Sequence, residues 1–257
     1  MERRIIGVLS GKGGVGKSTI AINMCALAME SRGMVLLVDA DISNPCVGLH
    51  LGLWQSALGL QDVLNNKVKL KEAIIVHPIT GIRLVPSSIE YRKNTKLERL
   101  KSVLEEAKYD AIIIDCPPGI TEYTEMIIKA CTEILVVVTP DIPSVTSGTK
   151  LIEMARTYNV KVLGVVVNRV GNKPYEMHPK EIETITETRA CAVIPEDSAI
   201  PESIAAKTPV VFYKPRSSAG AAIAELSGIV FNRPLAPVSR PGLLSHLVGW
   251  LKSLTRH

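Results

Sequence analysis

Two lysines five positions apart, Lys12 and Lys17, lie inside a run of small residues, Gly11-Lys-Gly-Gly-Val-Gly-Lys-Ser-Thr19. The stretch Gly11 to Ser18 satisfies G-x-x-x-x-G-K-S, in which backbone N–H groups wrap phosphate oxygens, the lysine reaches the β/γ-phosphates and the serine hydroxyl ligates Mg²⁺. Gly13, Gly14 and Gly16 free the backbone for that wrap, and the helix expected to follow adds partial positive charge at its N-terminus. Gly11, Lys12, Gly13, Gly14, Val15, Gly16, Lys17, Ser18 and Thr19 are therefore the nucleotide-contacting candidates. One lysine suffices to hold a nucleotide, so Lys12 calls for a different task.

Three acidic positions supply the complementary chemistry. Asp39 and Asp41 follow the apolar run Met34–Val38, and Asp115 closes the apolar run that begins after Asp110. A hydrophobic strand ending on an aspartate fixes a carboxylate for Mg²⁺. Asp41 is suited to orient the water that attacks a γ-phosphate, and Asp39 to support the cation's shell. Ser18, Asp39, Asp41 and Asp115 form the candidate metal set, and Lys12, Lys17 and Asp41 the catalytic set. Gly119, in Asp-Cys-Pro-Pro-Gly, would bring a backbone N–H toward the γ-phosphate. Asn168, after Val165-Val-Val, offers an amide with both donor and acceptors, suited to an adenine edge.

The elements that must position these residues are legible as alternating runs. Strand-like segments are expected at Ile5–Leu9, Met34–Val38, Ile82–Pro86, 110–115, Ile134–Thr139, Val160–Val167 and Cys191–Ile194. Helical ones fall at Thr19–Met29, Leu60–Asn66, Asn94–Lys108, 144–158, 179–188, Ser198–Ala206 and Ser217–Ile229. Strands alternating with helices imply an α/β fold: a P-loop nucleotide-binding core with a doubly wound, mostly parallel sheet flanked by helices on both faces. Residues 46–80, including Val47, Leu49, Leu51, Leu53 and Trp54, read only as partly buried.

Composition agrees. Hydrophobic residues are 46% and aromatic ones 4% of 257 residues, so the core is aliphatic, as parallel sheets covered on both faces require. The 30 Lys+Arg against 25 Asp+Glu leave +5, spread along the chain, which does not by itself argue for nucleic acid. Five cysteines, Cys25, Cys46, Cys116, Cys131 and Cys191, are never spaced C-x-x-C and read as free thiols of a reducing compartment. No run approaches the roughly 18 apolar residues of a membrane span.

The end of the chain differs from the rest. Residues 1–231 form the expected ATPase domain, 232–241 a Pro-rich linker, and 242–257 a separate segment. On a helix of about 100° per residue, Leu243, Leu244, Leu247, Val248, Trp250, Leu251 and Leu254 fall within an arc of roughly 160°, opposite a weakly basic face. That segregation describes a helix lying in a membrane interface.

The arrangement Lys12-Gly-Gly-Val-Gly-Lys17-Ser-Thr resembles the deviant Walker A motif of the MinD/ParA family of ATPases. The resemblance extends to switch I around Asp39–Pro45, to switch II in Asp-Cys-Pro-Pro-Gly119, and to the amphipathic tail that the MinD branch carries. It implies ATP/ADP and Mg²⁺ as cofactors, with Lys12 crossing to the partner's nucleotide in an ATP-state homodimer and Asp41 positioning water. It also implies an Asn168 contact to the base and a loop Pro195-Glu196-Asp197 closing over it. The expected function is an ATPase with slow, partner-stimulated turnover, cytoplasmic and peripheral on the inner membrane face. It would dock on anionic lipid, answer to a protein activator or cargo, and regulate division-site placement or other positioning. A DNA-partition ATPase would share every nucleotide residue but needs a basic patch in place of the tail. An iron–sulfur carrier of the same superfamily needs a paired-cysteine motif. A metabolic ligase or kinase would leave Lys12 and the tail without purpose.

Overall fold

The computed structural model describes residues 3–53, 56–90 and 95–232. Trp54, the linker at 232–241 past its first residue, and the amphipathic tail lie outside the described residues. Eight strands form one sheet: β1 Arg4–Leu9, β2 Val35–Asp39, β3 Ile75–Val76, β4 Arg83–Val85, β5 Ala111–Asp115, β6 Glu133–Val138, β7 Lys161–Val170 and β8 Ala190–Pro195. Their order across the sheet is β3-β4-β2-β5-β1-β6-β7-β8. Every pairing is parallel except β3 with β4, where Ile75 faces Leu84. The expected mostly parallel sheet is therefore present, and β3 is an edge strand too short for sequence periodicity to announce.

The continuous apolar runs divide by twos between the two faces, as alternating side chains must. Ile5, Leu36, Val38, Ile112 and Ile114 join one core layer, while Ile6, Val8, Val35, Leu37 and Ile113 join the other. The first layer is covered by α3 Leu60–Leu64, α4 Leu100–Glu106, α5 Glu122–Ala130, α6 Ile142–Thr157 and α7 Pro179–Thr186. The second is covered by α1 Lys17–Arg32, α8 Ala199–Ala205, α9 Val210–Tyr213 and α10 Ser218–Phe231, with the single turn α2 Val47–His50 at its edge. Between Ile20 and Ala28, α1 is almost wholly buried and apolar on every side but at Asn23, which explains its weak amphipathic signal.

Helix α5 has no counterpart in the sequence expectations. Its start is marked by Thr121, whose side chain accepts from the Thr124 N–H at 3.3 Å, and by Glu122 and Glu125 in the first turn. The expected helix at Asn94–Lys108 is shorter, a 3₁₀ turn at Leu97–Arg99 leading into α4.

Candidate nucleotide and cation site

The site sits where β1, β2 and β5, neighbours in the sheet, end at their carboxyl edge, the position at which open α/β sheets hold ligands. The loop after β1 reverses direction through Gly14 (φ 78°) and Gly16 (φ 98°), and Gly16 caps α1, so Lys17 is its first residue. Space as well as conformation demands glycine at position 16: a Cβ there would stand 2.3 Å from the Asn168 amide nitrogen. Lys17, Ser18 and Val15 are buried, while Lys12 is half exposed, with its ammonium 3.6 Å from Asp141 Oδ1. Asp141 is the N-cap of α6, accepting from the Ser144 N–H at 3.0 Å and from the Thr139 hydroxyl.

Burial pushes all three strand-end carboxyls upward. Asp115 is held at about 6, with Lys17 and the Ser18 hydroxyl pulling it back and Asp41 adding repulsion. Neither of its oxygens meets a donor at good hydrogen-bonding geometry, the Ser18 hydroxyl and the Lys17 charge being what answers it within the protein. Asp39 is raised well above the carboxylate range, by burial first and by the charge of Asp115 second. Its oxygens accept from the N–H of Asp41 at 3.1 Å and of Val47 at 3.2 Å. Asp41 is raised by burial, opposed by the Asn44 N–H that reaches Oδ1 at 2.9 Å and by the charge of Lys17.

A fully buried carboxylate with no backbone donor, beside Ser18 and the lysine of a phosphate loop, fits a hydrated divalent cation and the nucleotide that carries it. Comparison with known proteins agrees. The ParA family pattern, described as NUBPL iron-transfer P-loop NTPase, matches residues 2–230. The chain belongs to the ParA family of P-loop NTPases. An ATP-binding protein of Methanocaldococcus jannaschii is 36% identical over 226 residues, covering 86% of this chain and 85% of the relative. The structure of the septum site-determining protein MinD complexed with Mg-ADP from Pyrococcus horikoshii superposes with a TM-score of 0.84 at 31% identity, covering 89% of this chain and 96% of that one. The MinC:MinD cell division protein complex of Aquifex aeolicus gives 0.80 at 25%, covering 92% and 98%.

Within this ParA-family site, the expected residues divide by role. The P-loop, Asp39, Asp41 and Asp115 converge. Asp39 also accepts one backbone N–H on each oxygen, which folds the segment after β2 around it. Asn168 lies in β7 instead of after it, and its amide donates to the Val15 carbonyl at 2.6 Å, bracing the P-loop. The Gly119 N–H is donated to the Ser10 carbonyl at 3.0 Å. Asp197 turns away to cap two helices: it accepts from Ala199 N–H at 2.8 Å, Ser218 Oγ at 2.7 Å and Ala219 N–H at 3.0 Å, which together hold its carboxyl below the usual range. Pro195 ends β8, and the Glu196 N–H bonds the Val170 carbonyl at 3.0 Å.

Three residues escaped the sequence reading. Arg169, at φ 62°, donates to Glu196 at 2.8 Å and to the Gly14 carbonyl at 3.2 Å, tying the loop after β8 to the P-loop. Asp141 meets Lys12 although their positions are 129 apart in the chain, which no local pattern reveals. Cys46 donates from Sγ to Ser18 Oγ at 3.0 Å.

Proposed function

We propose that the chain is an ATPase that dimerises around ATP–Mg²⁺, binds membrane through residues 242–257, and serves spatial positioning such as division-site placement. The observation that carries the reading is Lys12. It is surplus to phosphate binding, half exposed, and held by a single ion pair at 3.6 Å, a contact between exposed groups that contributes little. It is therefore free to leave Asp141 for the phosphates of a second copy. The relatives named MinD, one holding Mg-ADP and one joined to MinC in a cell division complex, support the same role.

In this reading the backbone of Gly13–Gly16 and Lys17 bind the β/γ-phosphates. Ser18 and Asp115 hold the cation. Bound Mg²⁺ neutralises charge on the phosphate oxygens. Asp41, held by the Asn44 and Ser43 N–H groups, orients the attacking water, and its raised proton affinity suits a proton acceptor. Lys12 of each copy stabilises charge on the other's transferring group, as an arginine finger does. The tail acts through valency. Seven apolar side chains gain roughly 1.5 kcal/mol or more apiece on burial, against roughly 1 kcal/mol or more for each residue ordered. One tail is marginal, and two on a dimer gain about 10²-fold or more in avidity.

The family's description names iron transfer, but the five cysteines of this chain are scattered without a C-x-x-C pair. The deciding experiment sizes the full-length protein with ADP and with a non-hydrolysable ATP analogue, with and without anionic vesicles. A dimer with the analogue alone, floating with vesicles and lost from them on deletion of 242–257, is the expected result. Lys12→Ala should lose the dimer before it loses nucleotide. A protein monomeric in every nucleotide state overturns the reading, and ATP-dependent, salt-sensitive retention on DNA moves it to the partition branch.

A further inference from the structure

Strand β7 breaks its regular pairing at the residue that reaches the P-loop. Asn168 pairs with Ile194 and Val170 with Pro195, so Arg169 is an extra residue, a bulge, and it takes φ 62°. In a regular strand successive side chains point to opposite faces. Here two consecutive ones reach one loop: the Asn168 amide donates to the Val15 carbonyl at 2.6 Å, and the Arg169 guanidinium to the Gly14 carbonyl at 3.2 Å. Glu196 holds the guanidinium from its other side, accepting from Nε at 2.8 Å and from Nη2 at 3.4 Å. At the end of β1 the Ser10 hydroxyl donates to a third loop carbonyl, that of Lys12, at 2.8 Å.

A trans peptide is planar, and its C=O and the N–H that follows point in opposite directions. Holding the carbonyls of Lys12, Gly14 and Val15 by groups outside the loop therefore turns the N–H groups of Gly13, Val15 and Gly16 away from those groups. Among the described residues none of these three N–H groups meets an acceptor. Backbone donors left open beside a lysine are what an anion requires. We propose that Arg169, locked by Glu196, is a positioning residue for the phosphate chain, aiming the P-loop donors before the ligand arrives. This rests on the nucleotide reading above and deepens it. Donors set in advance need no reordering on binding, so the guanidinium contributes affinity without touching the ligand. The benefit falls on any ligand carrying a diphosphate, with or without a base attached.

The test is calorimetry of the full-length protein with Mg²⁺–ADP and with Mg²⁺–pyrophosphate. Arg169→Gly removes the guanidinium and suits a left-handed backbone, so the bulge is kept. It should lose about 10-fold in affinity for both ligands, while the unliganded variant melts no lower than wild type. Arg169→Lys should restore part of the loss, and Glu196→Gln, which keeps one acceptor, should lose about 3-fold. Pyrophosphate affinity unchanged in Arg169→Gly overturns the inference, since a loss confined to ADP would put Arg169 to work on the base. A gain in Glu196→Gln also overturns it, because a freed guanidinium would then bind phosphate itself. An unliganded melting point that falls along with the affinity makes Arg169 a structural brace and overturns its positioning role. A wild-type protein that binds neither ligand defeats the nucleotide reading, a result distinct from wild-type binding that Arg169→Gly leaves untouched.

Discussion

Asp39 and Asp115 end adjacent parallel strands and face each other in register. Both are fully buried, yet their surroundings differ. Asp39 accepts two backbone N–H bonds from the chain that folds back after β2, while Asp115 accepts none. A buried carboxylate answered only in part, here by the Lys17 charge and the Ser18 hydroxyl, costs stability that a bound cation would restore. The difference separates a carboxylate that shapes a loop from one kept open for a ligand. Their nearness matters too, because the charge of Asp115 raises Asp39 further, and a cation on Asp115 would relieve both.

The largest test of that contrast removes the satisfied member. Asp39→Ala should leave the N–H groups of Asp41 and Val47 without acceptors and cost about 2–4 kcal/mol in urea unfolding of the nucleotide-free protein. A cost below about 0.5 kcal/mol would place Asp39 on the ligand's side after all. Asp115→Asn should act with the opposite sign. Removing the unpaired charge should stabilise the metal-free protein by about 1–2 kcal/mol, while the gain in ADP affinity that Mg²⁺ provides is lost. A destabilised variant with the Mg²⁺ effect intact would invert the comparison.

Much of this arrangement is written locally in the chain and some of it is not. The strand runs and the Gly11–Thr19 loop are legible because their signals are confined to a few consecutive residues, and strand ends differ from expectation by a residue, as with β1 at Arg4–Leu9, except that β7 runs three residues past its expected end, to Val170. Asn168 shows what sequence leaves out: β7 continues to Val170, and the amide nitrogen braces the P-loop at the Val15 carbonyl, a contact that no local pattern announces. The contrast between Asp39 and Asp115 is invisible in sequence, since both are aspartates closing apolar runs and only the path of the chain to Val47 brings a donor to one of them. The partners of Asp197 are hidden from sequence for the same reason. The acidic pair before a helix resembles a ligand loop, and its capping of α10 through Ser218 and Ala219 depends on a contact more than twenty positions away. Arg169 needs both a left-handed backbone and the third dimension to reach Gly14.

Proton linkage sharpens the comparison most finely. Asp115 sits at about 6 in the folded protein, above its ordinary value near 3.8, because burial disfavours the charged form. Between those values the native state holds a proton that the unfolded chain has released, so at this site stability is retained at low pH and lost as pH rises through about 6. The Asn variant has no such proton to lose. The stability gap between Asp115→Asn and wild type, measured by urea unfolding in chelator, should therefore be widest above pH 7. It should close as pH falls through 6, changing by no more than about 1.4 kcal/mol per pH unit. Acid effects shared by both proteins cancel in the difference. Saturating Mg²⁺ and ADP should remove the advantage of the variant at high pH, since the cation then answers the charge that burial leaves bare. A gap that stays constant from pH 5 to 8 would mean that Asp115 is ionised throughout and has a partner, and the contrast between the two strand ends would fall.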